Sequence, residues 1–198
     1  MEVQMHLRDV EHNKLLGIDS KPKPKNRFYE AVTFEQAGKL KEAECIYVEL
    51  MNDHFGNTAL MAALGMNLAV QEKHGIAHAL LSAAYNGIDK LEGDLSALGV
   101  TIDEKQAGSK QRFLRMKRSE LMNAIGTTWK HENKIDKARY WFERAKTTFG
   151  EPSADIENNL ATLYINEGKP SQAMTHLTEA IRIDPRTHKR DGTARWRT

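Results

Sequence analysis

His74 and His78 stand four residues apart, a spacing that would place both imidazoles on one face of a helix, within reach of a common metal ion. No third ligand accompanies them, because Glu72 falls on another face at helical spacing. The pair therefore reads as solvated imidazoles, and no metal is expected. His131-Glu132 opens like a zinc-protease His-Glu-x-x-His signature but lacks the second histidine. Cys45 is the single cysteine, with no histidine base placed locally, and reads as a structural or surface thiol. The chain has no Walker loop, no dinucleotide-binding glycine run and no nucleophile elbow. Neither catalytic residues nor a cofactor are expected, and the chain is not read as an enzyme.

Charge offers a second kind of chemistry. Overall, 29 basic residues face 27 acidic ones, so a nucleic-acid or membrane surface would have to be local. Two basic runs exist. Lys110, Arg112, Arg115, Lys117 and Arg118 form one; Arg182, Arg186, Lys189, Arg190, Arg195 and Arg197, against Asp184 and Asp191, form the other. Reading bases also needs aromatic platforms, and only Phe113 and Trp196 are interleaved. Solvated basic faces, or contacts to an acidic protein, fit these runs better than nucleic acid. No apolar stretch approaches the ~18 residues of a membrane span, and the N-terminus lacks a signal core. A single cysteine and no leader place the chain by default in the cytoplasm.

The elements that would position these groups repeat along the chain. Small residues recur at Ala31, Gly65, Gly126 and Ala161, each followed three residues later by Phe34, Leu68, Trp129 and Tyr164. A second set, Ala43, Ala77, Ala138 and Ala173, is followed four residues later by Tyr47, Leu81, Phe142 and Leu177, and then by Leu50, Ala84, Ala145 and Ala180. Within the second set the spacings are 34, 61 and 35 residues. That is a period of about 34, a helix–turn–helix length, with one insertion. Small residues let two helices approach, large ones fill the next turn, and no pair can bury both its faces without a neighbour.

On these residues the chain resembles the tetratricopeptide-repeat family. The closest stretch is NLATLYINEGKPSQAMTHLTEAIRIDP, where Leu160-Ala161, Tyr164, Gly168, Ala173, Leu177, Ala180 and Pro185 all follow the family pattern. The resemblance implies an all-α, right-handed helical-hairpin solenoid of about four units, with the insertion between units two and three. Residues 1–24 read as a helix and a Pro/Lys linker, broken at Pro22 and Pro24. Units one and two occupy 25–86, the insertion 87–117, units three and four 118–187, and a shortened capping segment 188–198. In the insertion, IDKLEGDLSALG is amphipathic, IDEKQAGSK is loop-like, and KQRFLRMKR extends the following helix backward. The end THKRDGTARWRT opens like another first helix, implying either a minimal cap on Trp196 or a longer chain.

In the family the first helices line the concave face, and the resemblance transfers that role to particular residues. Unit one supplies Lys25, Phe28, Tyr29 and Val32; unit two Ala62, Ala63, Met66 and Val70. Unit three supplies Asn123, Thr127, Lys130 and His131; unit four Asn158, Asn159, Thr162 and Asn166. The face should run from apolar to amide-rich, suiting a peptide with an apolar anchor and a main chain read by side-chain amides. Two modes known in the family fit poorly. A carboxylate clamp would need Lys, Asn and Arg where Phe28, Val32, Ala63, Glu120 and Ala124 stand. The asparagine ladder of O-GlcNAc transferase is matched only by Asn159. The expectation is a non-catalytic adaptor or scaffold with a protein or peptide partner. Its alternatives are the N-terminal substrate-recruiting module of a larger enzyme such as a glycosyltransferase, and a self-associating structural protein that forms homo-oligomers.

Overall fold

The computed structural model describes residues 26–100 and 110–185. The expected N-terminal helix and linker, most of the loop IDEKQAGSK and the Trp196 segment lie outside the described residues. Those described form an all-helical chain of helix pairs. Pair one is α1 (Arg27–Gln36) with α2 (Leu40–Asp53), and pair two is α3 (Thr58–Val70) with α4 (His74–Asn86). A turn of 3-10 helix (Ile88–Lys90) and the short α5 (Leu91–Ala97) follow. Pair three is α6 (Lys110–His131) with α7 (Ile135–Phe149), and pair four is α8 (Ala154–Asn166) with α9 (Pro170–Ile183).

Each pair turns in the same way. Gly38, Glu72, Asn133 and Gly168 all have positive φ, at 74, 63, 58 and 68°. The lysine after each, Lys39, Lys73, Lys134 and Lys169, donates its backbone N–H to the carbonyl of Phe34, Leu68, Trp129 and Tyr164 respectively, at 2.8–2.9 Å. This six-residue closure is a Schellman motif, which satisfies carbonyls that a helix end would otherwise leave bare. The large residue of the first helix therefore serves twice, through its side chain in packing and through its carbonyl in the turn.

Packing follows the small and large positions. Ala31, Gly65, Gly126 and Ala161 are buried, as are Ala43, Ala77, Ala138 and Ala173. Tyr47, Leu81 and Phe142 are fully enclosed, whereas Leu177 is half-buried. The core extends from Phe28 to Ile125 through pairs one, two and the start of three, then from Met122 to Leu163 through pairs three and four. Tyr85, Trp129 and Trp141 pack against both parts. Helix α6 belongs to both, and its 22 residues make it the longest of the described helices.

Residues 87–100 fold back on the starts of the first helices. Leu91, Leu95, Leu98 and Val100 are buried. The Asp94 carboxylate accepts the Thr58 backbone N–H at 2.7 Å, and the Asp94 carbonyl accepts from Asn57 Nδ2 at 2.9 Å. Asn57 is the N-cap of α3, its Oδ1 accepting from Leu60 N at 3.1 Å. Two oxygens from different parts of the chain thus serve one helix start, where bare N–H groups and the helix dipole both favour them. Asn26 does the same for α1: its Oδ1 accepts from the N–H groups of Phe28 and Tyr29, while its Nδ2 donates to the Leu98 carbonyl at 2.9 Å.

Candidate partner-binding face

Between α1, α3, α5 and the first half of α6 lies a hollow of about 100 Å³. Phe28, Ala59, Ala62, Ala63 and Met66 form one side, and Ile88, Leu91, Leu95 and Leu121 the other. The polar side chains on its lining are Lys117 and Glu120, paired at 2.8 Å, with the Lys117 ammonium 5.8 Å from the centre of the Phe113 ring. A site this apolar offers water few partners, so it suits hydrocarbon. The small residues Ala62 and Ala63 leave the space; the leucines of residues 87–100 wall it in. Those leucines were legible as an amphipathic run, but their inward folding depends on Asp94 and Thr58, far apart in sequence.

A different chemistry gathers on α6 and α8. Asn159 Nδ2 donates to Asn123 Oδ1 at 3.0 Å, and Lys130 Nζ donates to Asn159 Oδ1 at 2.9 Å. Three of the residues singled out from sequence therefore touch. Thr127 and Thr162 instead donate back to the carbonyls of Asn123 and Asn158, at 3.0 and 2.9 Å. Asn158 is half-buried and Asn166 exposed. Of the apolar set, Met66 and Val32 are half-buried and Val70 is 68% exposed. Phe28 and Tyr29 are more enclosed than an open groove implies, at 5% and 8% exposure. Phe28 packs on Tyr47 with ring centres 5.9 Å apart.

The basic run on α6 is largely neutralised. Lys110 pairs with Glu92, Arg112 with Glu151 at 2.8 Å, Lys117 with Glu120 and Arg118 with Asp89 at 2.8 Å. Phe113 is fully buried, so it offers no platform for a base. Cys45 is exposed. Among the described residues no group of three His, Cys, Asp or Glu side chains is placed to hold a metal, and no helix is long and apolar enough to cross a membrane.

The sequence reading missed polar groups that join one pair to the next. Glu35 accepts from Tyr47 Oη and from Asn67 Nδ2, both at 2.9 Å, and Gln71 Nε2 bridges Asn67 and Glu44 at 2.7 and 2.9 Å. Burial first, then the neighbouring Glu35 charge, pushes the Tyr47 phenol well above its ordinary value. Glu157, almost fully buried, takes Lys146 Nζ at 2.8 Å and His176 Nδ1 at 2.6 Å. Apart from Gln71–Asn67, four residues apart, these links join residues 11 to 32 apart. They become visible in sequence only once the repeat register is laid over it.

Helix pairs closed by one repeated turn, packed through small residues at a regular spacing, define a helical-hairpin solenoid, and the chain resembles tetratricopeptide-repeat proteins. No protein-family model and no curated protein matches it. Among solved structures it is similar to a MamA segment from Desulfovibrio magneticus RS-1, at 11% identity and a TM-score of 0.37, over 85% of this chain and 99% of that one. It is also similar to YrrB, described as a TPR protein, at 17% identity and 0.35, over 91% and 93% of the two chains. A third is the Cut9–Hcn1 structure of the APC/C, at 12% identity and 0.33, over 93% of this chain and 43% of that one. At these scores the superpositions say nothing of what this chain binds; the resemblance rests on its own turns and contacts.

Proposed function

We propose that the chain is a non-catalytic interaction module that holds a polypeptide along the face made by α1, α3, α6 and α8. The observation that carries this reading is the apolar hollow lined by Phe28, Ala62, Ala63 and Met66, on the same set of first helices as the Lys130–Asn159–Asn123 cluster. An extended peptide offers both chemistries these sites require, an apolar side chain for the hollow and main-chain N–H and C=O groups for the amides. The residues of the reading are Phe28, Tyr29, Val32, Met66 and Val70 at the apolar end. At the amide end they are Asn123, Thr127, Lys130, Asn158, Asn159, Thr162 and Asn166.

Phe28 is a poor residue to test, because a charge there would strike the Tyr47 packing and unfold the first pair. Ala63→Leu fills the hollow from within, and Lys130→Ala breaks the amide cluster at its surface. Affinity capture with the full chain as bait should return a partner that both variants lose while their circular dichroism matches the wild type. A partner retained equally by both variants would overturn the assignment of this face.

A further inference from the structure

Successive pairs are joined through the same register. The residue after the small alanine of each second helix is Glu44, His78 or Arg139, and each meets the next first helix or its turn. Glu44 takes Gln71 Nε2 at 2.9 Å and Lys73 Nζ at 2.7 Å, and Arg139 pairs with Glu167. Lys73 holds the Glu44 carboxyl below its ordinary range, so neither of these joints changes charge near neutral pH. The middle joint is built from imidazoles. His78 Nδ1 lies 3.0 Å from Thr128 Oγ1, with its ring edge-on to Trp129 at 4.3 Å. His74, at the start of α4, stacks on His131, at the end of α6, with ring centres 4.1 Å apart and planes 13° from parallel. His74 Nδ1 is buried with no hydrogen-bond partner.

From this geometry we infer that the joint between the second and third helix pairs is an acid-sensitive hinge, closed while His78 and His131 are neutral and loosened when they gain protons. The Thr128 hydroxyl proton is committed to the Ile125 carbonyl at 2.7 Å, so His78 must donate from Nδ1, and Nε2 is left as its basic nitrogen. A proton on His131 sets a charge face to face with the His74 ring, 4.1 Å away, in a contact built for two apolar ring faces.

The charged groups facing the cluster do not cancel this. Glu72 comes from the turn before α4, Lys130 from the end of α6, Glu132 and Lys134 from the turn that follows, and Lys137 from α7. That is three lysines against two glutamates. Burial above all holds His78 and His131 below the ordinary histidine value. A depressed histidine favours the fold fully above the unfolded value of about 6.5, and its contribution is lost as pH falls below that. The apolar hollow spans this joint, with walls from α3 in the second pair and α6 in the third, so opening would change its width. The inference stands whether or not that face holds a peptide.

The test is thermal unfolding of the full chain at pH 7.5 and 5.5, in wild type, His131→Gln and His131→Lys, with amide hydrogen exchange at both pH values. Wild type should lose at least about 2–4 °C more on acidification than His131→Gln, the shift expected for one lost interaction in a chain of this size. His131→Lys should carry the loss already at pH 7.5 and respond less to acid. Exchange in the acidic wild type, corrected for intrinsic rate, should rise first in α4 and the last turns of α6, ahead of α2 and α9. Parallel responses in wild type and His131→Gln would overturn the hinge. Should His131→Gln fail to fold, wild-type exchange decides alone: loosening spread evenly over all helices also refutes it.

Discussion

A Cβ added to Gly126 would lie 2.6 Å from Phe142 Cε1 and 2.7 Å from Cδ1, and neither side can give way, because the ring is fully enclosed. Gly126→Ala should therefore cost about 1–3 kcal/mol, as overpacking does in tight cores. Gly93, on the exposed side of α5, meets nothing within 4 Å, so Gly93→Ala should instead stabilise by about 0.5–1 kcal/mol through helix propensity. Urea unfolding of the two variants checks both signs, and a mild effect at Gly126 would mean the ring has somewhere to move. These small and large positions were legible in sequence because close helix approach is a local steric demand that few residue types meet. The turns were less legible. Gly38 and Gly168 announce a positive φ, but Glu72 and Asn133 adopt the same conformation. The Schellman hydrogen bonds of the flanking helices impose it there at a cost.

At the scale of elements, what sequence could not supply was direction. An excess of 27 residues between Ala77 and Ala138, beyond one repeat, is plain from spacing. That its first half turns back to cap α3 depends on a contact across 36 residues, Asp94 to the Thr58 N–H. Phe28 and Tyr29 were assigned to the binding face by register, and their enclosure has the same source: Asn26, two residues before Phe28, is tied to the Leu98 carbonyl. The amide cluster was more legible because Asn123, Lys130 and Asn159 sit on facing first helices, where register alone brings them within reach. If Asp94 both caps α3 and anchors α5, Asp94→Ala should cost about 1–2 kcal/mol, the usual loss for a helix cap. Amide exchange should rise over residues 87–100 in that variant, while α8 and α9 stay as protected as in wild type. A loss of stability without that local change would leave Asp94 a cap and nothing more.

The whole molecule is a chain of neighbours, and its stability should be read that way. Each helix pair touches the one before and the one after, so interaction energy is nearest-neighbour in form, and a defect need not reach the far end. Helix α6 tempers this, because Ile125 belongs to the buried core of the first pairs and Met122 to that of the last. Leu60, fully buried in α3, lies in the first part only. Leu60→Ala removes about 2–5 kcal/mol of packing. Protection from hydrogen exchange should then fall steeply in α1 through α4, partly in α6, and least in α8 and α9, since the second core cluster contains no residue before Met122 among its fully buried members. Met122→Ala should reverse the gradient, lowering α7 and α8 most. If both variants instead lower every helix by the same amount, α6 couples the two cores so tightly that the array opens as one cooperative unit.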